Sequence, residues 1–238
     1  KEIEENLLSQ DIDLAVHSLK DMGIEENNDL TIGAFIKRND PRDVFISNNF
    51  KSLGELKENN TVGSSSRRRE LQSKLINSKV SFLNIRGNID TRIKKLENGE
   101  IDAIILAAAG VKSLSFEKKI KTYFSTSELL PAAGQGIIAV QCRKNDQQTK
   151  NILNSINDHE TKICATAERQ MLKSIGGDCD TAVGGFAILE KDKIKLKGQL
   201  FSDDGNFFFN HEVYGNKTDA KEVGQKLGKE LLKLAGKN

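Results

Sequence analysis

The sequence contains no tryptophan, only two prolines and only three cysteines. Cys142, Cys164 and Cys179 form no C-x-x-C pair, so neither a disulfide framework nor a zinc site is expected. Lys and Arg total 36 against 34 Asp and Glu, and a formal net charge of +2 provides no general basic field for nucleic acid. Aromatic residues, at 5%, are too few for base-stacking platforms. Any anion site must therefore be local.

No apolar run approaches the roughly 20 residues needed to cross a bilayer, and the start KEIEENLLSQ lacks the features of a signal peptide. We therefore predict a cytoplasmic protein with neither membrane nor nucleic-acid partners. The chain begins at Lys1 rather than Met, and the apolar run DLAVHS follows at 13–18. We expect that an N-terminal piece is missing.

Short apolar runs alternate with helical patterns along the first part of the chain, which predicts an α/β fold with a mostly parallel sheet. The strand-like runs lie at 30–36, 43–48, 60–64, 80–87 and 101–110. A helix is predicted over 88–98, with Asn88 or Asp90 capping its start and Gly99 ending it. Ligands of such folds bind beyond the carboxyl ends of the strands.

Polar residues with anion-binding chemistry follow three of the predicted strands. They are Ser64, Ser65, Ser66, Arg67, Arg68 and Arg69 at the end of the strand at 60–64, Arg86 and Arg92 at the end of the strand at 80–87, and His17, Ser18, Lys20 and Asp21 after LAV in the apolar run at 13–18, which is the first strand. Serine hydroxyls, the free N–H groups of a helix start and arginine forks bind phosphate or carboxylate. Neither a P-loop nor a G-x-G-x-x-G motif is present, so carboxylates are the favoured ligands. In the alternative, the arginine run is a solvated helix face paired with Glu70.

Asp21 is the candidate catalytic residue, because a carboxylate beside a polyanion site can stabilise a developing cation or transfer a proton. Lys20 supplies a further positive contact. The alternative role of Asp21 is that of a helix N-cap. His17 is interpreted as a core histidine whose hydrogen bonds are satisfied.

The segment LLPAAGQGIIAVQCR (129–143) indicates a turn that leads into a buried strand, and its Gly134 and Gly136 permit close backbone approach. Cys142 and Cys164 are interpreted as core residues. Cys179 lies in the loop GGDCDT, where neighbouring carboxylates are expected to raise its thiol pKa. That environment disfavours a free redox nucleophile but not a covalently occupied sulfur.

Seven segments together resemble the porphobilinogen deaminase (hydroxymethylbilane synthase) family over essentially the whole chain. They are HSLKD (17–21), DPRDVF (40–45), VGSSSRRREL (62–71), NIRGNIDTRIKKLENGEIDAIILAAAGV (84–111), LPAAGQGIIAVQCR (130–143), TAERQML (166–172) and the GGDCD loop. The resemblance implies a transferase of heme and porphyrin biosynthesis. Such an enzyme joins four porphobilinogen molecules head to tail, releases ammonia at each addition, and hydrolyses the chain to hydroxymethylbilane.

The resemblance also implies roles for individual residues. Asp21, with Lys20, would be catalytic, and Cys179 would carry a dipyrromethane cofactor through a thioether. The expected carboxylate-binding set is Ser18, Lys20, Ser64, Ser65, Ser66, Arg68, Arg69, Arg86, Arg92 and Gln135. No metal is expected, and the family generally acts as a monomer.

The resemblance further implies two periplasmic-binding-protein-like α/β lobes and a small α+β C-terminal domain. We expect domain 1 to comprise residues 1–36 and 134–155 without its N-terminal part, domain 2 residues 41–130, and domain 3 residues 158–238, which carries Cys179. A cleft between the first two domains would hold the polypyrrole.

Several positions depart from the family pattern. They are Gly23 in place of a usual proline, Ser113 in place of a common arginine, and Asp178 and Ala182 around the cofactor cysteine. The family also begins with an additional strand and helix. If that segment is truly absent, the alternative function is a non-catalytic relative that binds polycarboxylates.

Overall fold

The computed structural model describes residues 2–25, 27–176 and 181–236. Within these ranges the chain forms three separate β-sheets with helices packed against them. The predicted α/β class with a small C-terminal α+β unit is confirmed. The domain boundaries given above stay a prediction. No helix in the described ranges has the length and apolar character needed to span a bilayer.

The first sheet joins the beginning of the chain to a strand far along it. Its strands are β1 (Leu14–Ser18), β2 (Leu30–Phe35) and β8 (Ile138–Arg143). The order is β1-β8-β2 and both pairings are antiparallel. Helices α1 (Glu2–Leu8) and α5 (Gln147–Asn154) contact this sheet. Because β8 lies between β1 and β2, the end of β1 meets the turn that precedes β8, where Leu19 N–H donates to Ile137 O at 2.9 Å.

The second sheet has five strands in mixed orientation. They are β3 (Asp43–Ser47), β4 (Thr61–Gly63), β5 (Ser81–Leu83), β6 (Ala103–Ala107) and β7 (Ile120–Tyr123). In the order β5-β4-β6-β3-β7, β4 is parallel to β5 and β6, whereas β3 is antiparallel to β6 and β7. The expectation of a mostly parallel sheet is therefore wrong. All five residues of β3 are buried, and its central run Val44–Ile46 is apolar as in a parallel strand, although its neighbours run the other way.

Three helices accompany the second sheet: α2 (Arg67–Ile76), α3 (Ile89–Glu97) and α4 (Ala108–Ser113). The helix predicted over 88–98 is confirmed, and Gly99 follows its end with a φ of +75°. Asn88 occupies the N-cap position, but its side chain makes no capping hydrogen bond, so the predicted side-chain cap is not observed. The predicted strand at 101–110 ends at Ala107 instead. Its last three residues begin α4, because alanine and glycine without β-branching permit the chain to turn into a helix there.

The third sheet is antiparallel, in the order β11-β10-β9, and is formed by β9 (Val183–Glu190), β10 (Lys193–Phe201) and β11 (Phe208–Asn216). Helices α6 (His159–Ile175) and α7 (Ala220–Leu234) cover one of its faces. Their apolar side chains, with Met171, Leu196 and Leu227 fully buried, form a core with the sheet. β9 begins two residues after Thr181, the first described residue that follows Cys179 in the chain.

Candidate active site

A buried carboxylate and two arginines form the centre of the candidate site. Asp43, the first residue of β3, is 0% exposed, and Arg68 and Arg69, in the first turn of α2, are 4% and 6% exposed. Oδ2 of Asp43 accepts from Nη2 of Arg68 at 2.9 Å, and Oδ1 accepts from Nη2 of Arg69 at 2.8 Å. Burial alone would raise the pKa of Asp43, but the charges of the two arginines lower it to about 2. One negative charge therefore faces two positive charges.

We call Arg68 and Arg69 the arginine pair. The alternative interpretation of the arginine run as a solvated face paired with Glu70 is wrong for these two residues. It is correct for the exposed Arg67, whose Nη1 lies 3.0 Å from Oε2 of Glu70. Consecutive residues of a helix point in different directions, so one run of arginines contributes both to the surface and to the site.

Serines order the loop that leads into α2. The Ser66 side chain caps the helix by accepting from the N–H of Arg69 at 3.4 Å, and the buried Ser64 accepts from the N–H of Ser66 at 3.1 Å. Ser65 is exposed. The predicted helix start at the serines is thus confirmed, and two of the three hydroxyl oxygens hold the loop that presents the arginine pair.

Gln135 completes the buried cluster from the turn before β8. Its Nε2 donates to Pro41 O at 2.6 Å and to Asp43 Oδ1 at 3.0 Å, and its Oε1 accepts from Arg68 Nη2 at 3.4 Å. The flanking Gly134 and Gly136 have φ values of +77° and +81°, a region that glycine adopts without strain. The predicted binding residue Gln135 therefore contacts the arginine pair, although it is itself 0% exposed.

The arginine pair retains N–H groups that no described residue uses. Nη1 of Arg68 donates to Leu130 O at 2.8 Å and Nη1 of Arg69 donates to Ile105 O at 3.3 Å. The buried Nε of Arg68 has no hydrogen-bond partner among the described residues. A buried donor without a partner is costly, and an anionic ligand such as a carboxylate would satisfy it.

Lys20 and Asp21 reach the same cluster from the end of β1. Burial, followed by the positive charge of Arg69, lowers the pKa of Lys20 to about 8, while Asp21 and Asp43 oppose this shift. Asp21 ends a short 3-10 helix at 19–21 and its side chain is exposed. Its alternative role as a helix N-cap is wrong, because no helix begins within the described residues that follow it before β2. Lys20 thus interacts electrostatically with the arginine pair, and the exposed Asp21 interacts with Lys20 and Arg92.

Arg92 belongs to this electrostatic cluster and Arg86 lies outside it. Burial lowers the pKa of Arg92, as does the charge of Arg69, whereas Asp21 acts in the opposite direction. Nε of Arg92 donates to Gly87 O at 2.8 Å. Arg86 and Ser18 are exposed, and no hydrogen bond joins either side chain to the cluster. The half-buried His17 has the expected satisfied environment, since its Nε2 lies 3.1 Å from Oε1 of Gln141.

Cys179 and Asp178 lie outside the described residues. Ala182, just beyond them, packs with Leu71 of α2 and Phe201 of β10. A cavity of about 480 Å³ adjoins this contact and is lined by Arg67, Leu71, Thr181, Ala182, Phe201, Ser202 and Asp203. The chain on the C-terminal side of the cofactor loop therefore contacts the helix whose first turn carries the arginine pair. The side chain of Ser113 is exposed and donates to Ala109 O.

The predicted environments of the other cysteines are confirmed. Cys142 is buried in β8 and Cys164 is buried in α6. Among the described residues, no group of His, Cys, Asp or Glu is arranged to hold a metal ion.

Sequence reasoning missed Asp43 and the pair formed by Arg38 and Glu168. Both carboxylates are 0% exposed and hold segments distant in sequence. The motifs DPRDVF and TAERQML contain these two carboxylates. Their role is identified by their burial, which a sequence does not show.

Comparison with known proteins places the chain in a family. The family model described as "Porphobilinogen deaminase, dipyromethane cofactor binding domain" matches residues 1–151, and "Porphobilinogen deaminase, C-terminal domain" matches residues 162–233. Curated porphobilinogen deaminases of Coxiella burnetii strains CbuG_Q212 and RSA 493 / Nine Mile phase I are each 41% identical over 236 residues, which cover 99% of this chain and 76% of each relative.

Two solved structures also resemble the chain. A putative methionine-binding lipoprotein from Bacillus subtilis is 14% identical, with a TM-score of 0.45 over 66% of this chain and 75% of that one. A periplasmic substrate-binding protein of an ABC transporter from Coxiella burnetii is 12% identical, with a TM-score of 0.44 over 66% and 76%. The two family models and the curated relatives, which extend over the arginine pair, Lys20 and Asp21, show that this chain belongs to the porphobilinogen deaminase family.

Proposed function

We propose that this protein is a hydroxymethylbilane synthase. It joins four porphobilinogen molecules head to tail, releases ammonia at each addition, and hydrolyses the product to the linear tetrapyrrole. The observation that carries the assignment of its site is the buried arginine pair with an unpartnered Nε, which interacts with Lys20, the neighbour of Asp21. A site of this kind combines fixed positive charge for ligand carboxylates with one exposed carboxylate for chemistry.

The arginines bind the side chains of the pyrrole units. Each unit carries an acetate and a propionate, so a growing chain brings several carboxylates. The buried arginine pair binds the carboxylates that enter deepest, while Arg92 and the exposed Arg86 bind others at the surface. Arginine suits this role because its planar fork matches a carboxylate and its charge persists at any physiological pH. Ser18, Ser64, Ser65, Ser66 and Gln135 support these contacts.

Asp21 stabilises the positive charge that develops when the amino group of porphobilinogen departs. Its exposed carboxylate ends the segment that faces the arginine pair, so it reaches a substrate whose carboxylates those arginines hold. A fixed negative charge next to a transient positive charge lowers the barrier, because no reorganisation is needed as the charge forms. Lys20 assists by binding a carboxylate of the substrate, which holds the substrate in position next to Asp21.

The residues present fit a dipyrromethane cofactor attached through a thioether to Cys179. The unpartnered Nε of Arg68 and the excess positive charge of the arginine pair match the carboxylates of such a group. When bound, the cofactor supplies the pyrrole end to which the first substrate is joined. Within the protein, Arg68 and Arg69 would hold it, and β9 would anchor the loop that carries it. We also infer a cytoplasmic monomer.

The first experiment is the intact mass of the denatured protein, compared with that of the Cys179→Ala variant. We expect an excess equal to two linked pyrrole units in the unaltered protein and none in the variant. The same excess in both proteins would place the attachment elsewhere. An unmodified mass that does not change after incubation with porphobilinogen would argue against the cofactor assignment.

The second experiment compares Asp21→Ala with Asp29→Asn, which removes the charge of another exposed carboxylate, in the turn before β2. We expect kcat of Asp21→Ala to fall by about 10²-fold or more, with an unchanged thermal midpoint. Asp29→Asn should retain full turnover. Equal turnover in both variants would remove Asp21 from the mechanism. Binding of porphobilinogen by the unaltered protein without any turnover would indicate the polycarboxylate-binding alternative.

A further inference from the structure

We propose that Asp43 is a positioning residue that fixes the arginine pair and limits its excess charge, so that the pair accepts a single ligand carboxylate. Asp43 does not touch the ligand in this proposal and acts through Arg68 and Arg69. The inference rests on the proposed function, because it takes the carboxylates of pyrrole units as the anions that the pair binds.

The geometry around Asp43 shows how it positions the arginine pair. Its Oδ2 binds Arg68, whereas its Oδ1 binds both Nε and Nη2 of Arg69, at 3.0 and 2.8 Å. Gln135 donates to the same Oδ1 at 3.0 Å from the turn before β8. The carboxylate is thus held from two elements and orients two guanidinium groups. Removing it would leave both arginines without their shared anchor.

The charges determine how many anions the pair can bind. Two guanidinium groups and one carboxylate leave an excess of one positive charge in a cluster of which each member is at most 6% exposed. Buried charges are tolerated when they are paired and hydrogen-bonded. One ligand carboxylate neutralises Asp43 and the arginine pair, and a second would have to be balanced by the surrounding Lys20 and Arg92. Asp43 therefore sets the capacity of the pair.

The ligand does not need to displace Asp43. The unpartnered Nε of Arg68 is a donor that Asp43 leaves unused, and each guanidinium carries five N–H groups. Two arginines can accordingly lie between an internal carboxylate and an external one. Asp43 therefore stays bound to both arginines when the ligand binds, and it does not compete with the ligand.

The test measures the thermal midpoint of the full chain carrying Cys179→Ala, in which no attached cofactor occupies the arginine pair, in citrate, a polycarboxylate probe, and in sodium chloride of equal ionic strength. The difference is the citrate increment. The Cys179→Ala protein without further change is the unaltered reference. For Asp43→Asn we expect a lower midpoint in chloride and a citrate increment at least twofold larger than that of the unaltered protein, because two positive charges then lack an internal partner. Asp102→Asn is the control, since Asp102 accepts from the N–H of Thr61 in the same sheet and pairs with no arginine. It should lower the midpoint but leave the citrate increment unchanged.

A second pair of variants remains informative if Asp43→Asn does not fold. Arg69→Met leaves Arg68 and Asp43 as a neutral pair, so the citrate increment should fall. The double variant Asp43→Asn/Arg69→Met leaves Arg68 alone, and the increment should return. A purely structural role for Asp43 predicts no recovery of the citrate increment, because removing Asp43 would then free no positive charge for the ligand.

Three results would overturn the inference: no citrate increment in the unaltered protein, the same increment in Asp43→Asn and Asp102→Asn, or no recovery in the double variant. Porphobilinogen turnover, measured in parallel on protein that retains Cys179, separates this inference from the proposed function. A protein without turnover that shows the expected increments would disprove the proposed function and leave the role of Asp43 intact.

Discussion

Glu168 of α6 and Arg38 of the segment between β2 and β3 form a buried ion pair, with Oε1 of Glu168 2.5 Å from Nη1 of Arg38. Glu168 is 0% exposed and also accepts from the backbone N–H groups of Gly134, at 2.6 Å, and Ala187, at 2.7 Å. One carboxylate therefore joins the helix before the cofactor loop, the turn that carries Gln135, and the third sheet.

Glu168→Gln should strongly destabilise the protein. The substitution leaves the Arg38 guanidinium without its counter-charge, and breaking a buried ion pair costs roughly 3–5 kcal/mol. The measurement is the free energy of unfolding in urea. Glu97→Gln is the control, because Glu97 forms a partly exposed ion pair with Lys119, with 2.6 Å between Oε1 and Nζ. Such a pair contributes at most about 1 kcal/mol, so similar losses in both variants would contradict a central role for Glu168.

Gly136→Ala should disturb both stability and the site. The φ of Gly136 is +81°, and an added Cβ would lie 2.7 Å from the carbonyl oxygen of Asn39. The left-handed conformation alone costs about 1–2 kcal/mol for a residue with a Cβ, and the contact with backbone adds to it. Because Gln135 is the preceding residue, KM for porphobilinogen should rise as well.

Gly99→Ala is the matched control for Gly136→Ala. Its φ is +75°, but an added Cβ meets nothing within 4 Å. The free energy of unfolding of Gly99→Ala should therefore fall only by the conformational cost, and KM for porphobilinogen should not change. A larger loss of stability at Gly99 than at Gly136 in urea unfolding would disprove the steric argument.

The sequence predicts local features of this fold better than it predicts contacts between distant residues. The extent of α3 and its end at Gly99 are local properties and are confirmed, although Asn88 at the N-cap position makes no side-chain capping hydrogen bond. The start of α2 at Ser66 is likewise a local property. By contrast, the direction of β3 depends on its partners β6 and β7, which the apolar pattern of β3 does not specify.

The same distinction explains what was missed in the site. Asp43 binds arginines 25 and 26 residues away, and Glu168 binds Arg38 across 130 residues. The sequence around each carboxylate contains no pattern that predicts a buried ion pair. The predicted site residues follow strand ends, which the sequence shows, whereas the carboxylates that bind Arg38, Arg68 and Arg69 are recognised only once the chain is folded.

The cysteines permit a test of cofactor attachment by thiol titration. Burial, with a smaller contribution from Glu168, raises the pKa of Cys164 to about 12, and burial also raises the pKa of Cys142. Both thiols should therefore be unreactive in the native protein, because the thiolate is the reacting form. If Cys179 carries a thioether, Ellman's reagent should detect no thiol in the native holoenzyme and two after denaturation. Three thiols in the denatured protein would show that Cys179 is unmodified.

Lys20 should make stability depend on pH in the alkaline range. Its pKa is lowered from 10.5 to about 8 by burial and by Arg69, so between pH 8 and 10.5 the unfolded chain binds a proton at Lys20 that the folded protein has lost. By linkage, this group raises the free energy of unfolding as pH increases through that range, and its penalty is largest below pH 8. Lys20→Met should therefore be more stable than the unaltered protein at pH 7, and the difference should shrink toward pH 10. Urea unfolding of both proteins at each pH isolates the contribution of Lys20, since the two proteins share all other titrating groups. A difference in the free energy of unfolding that does not change with pH would refute the prediction.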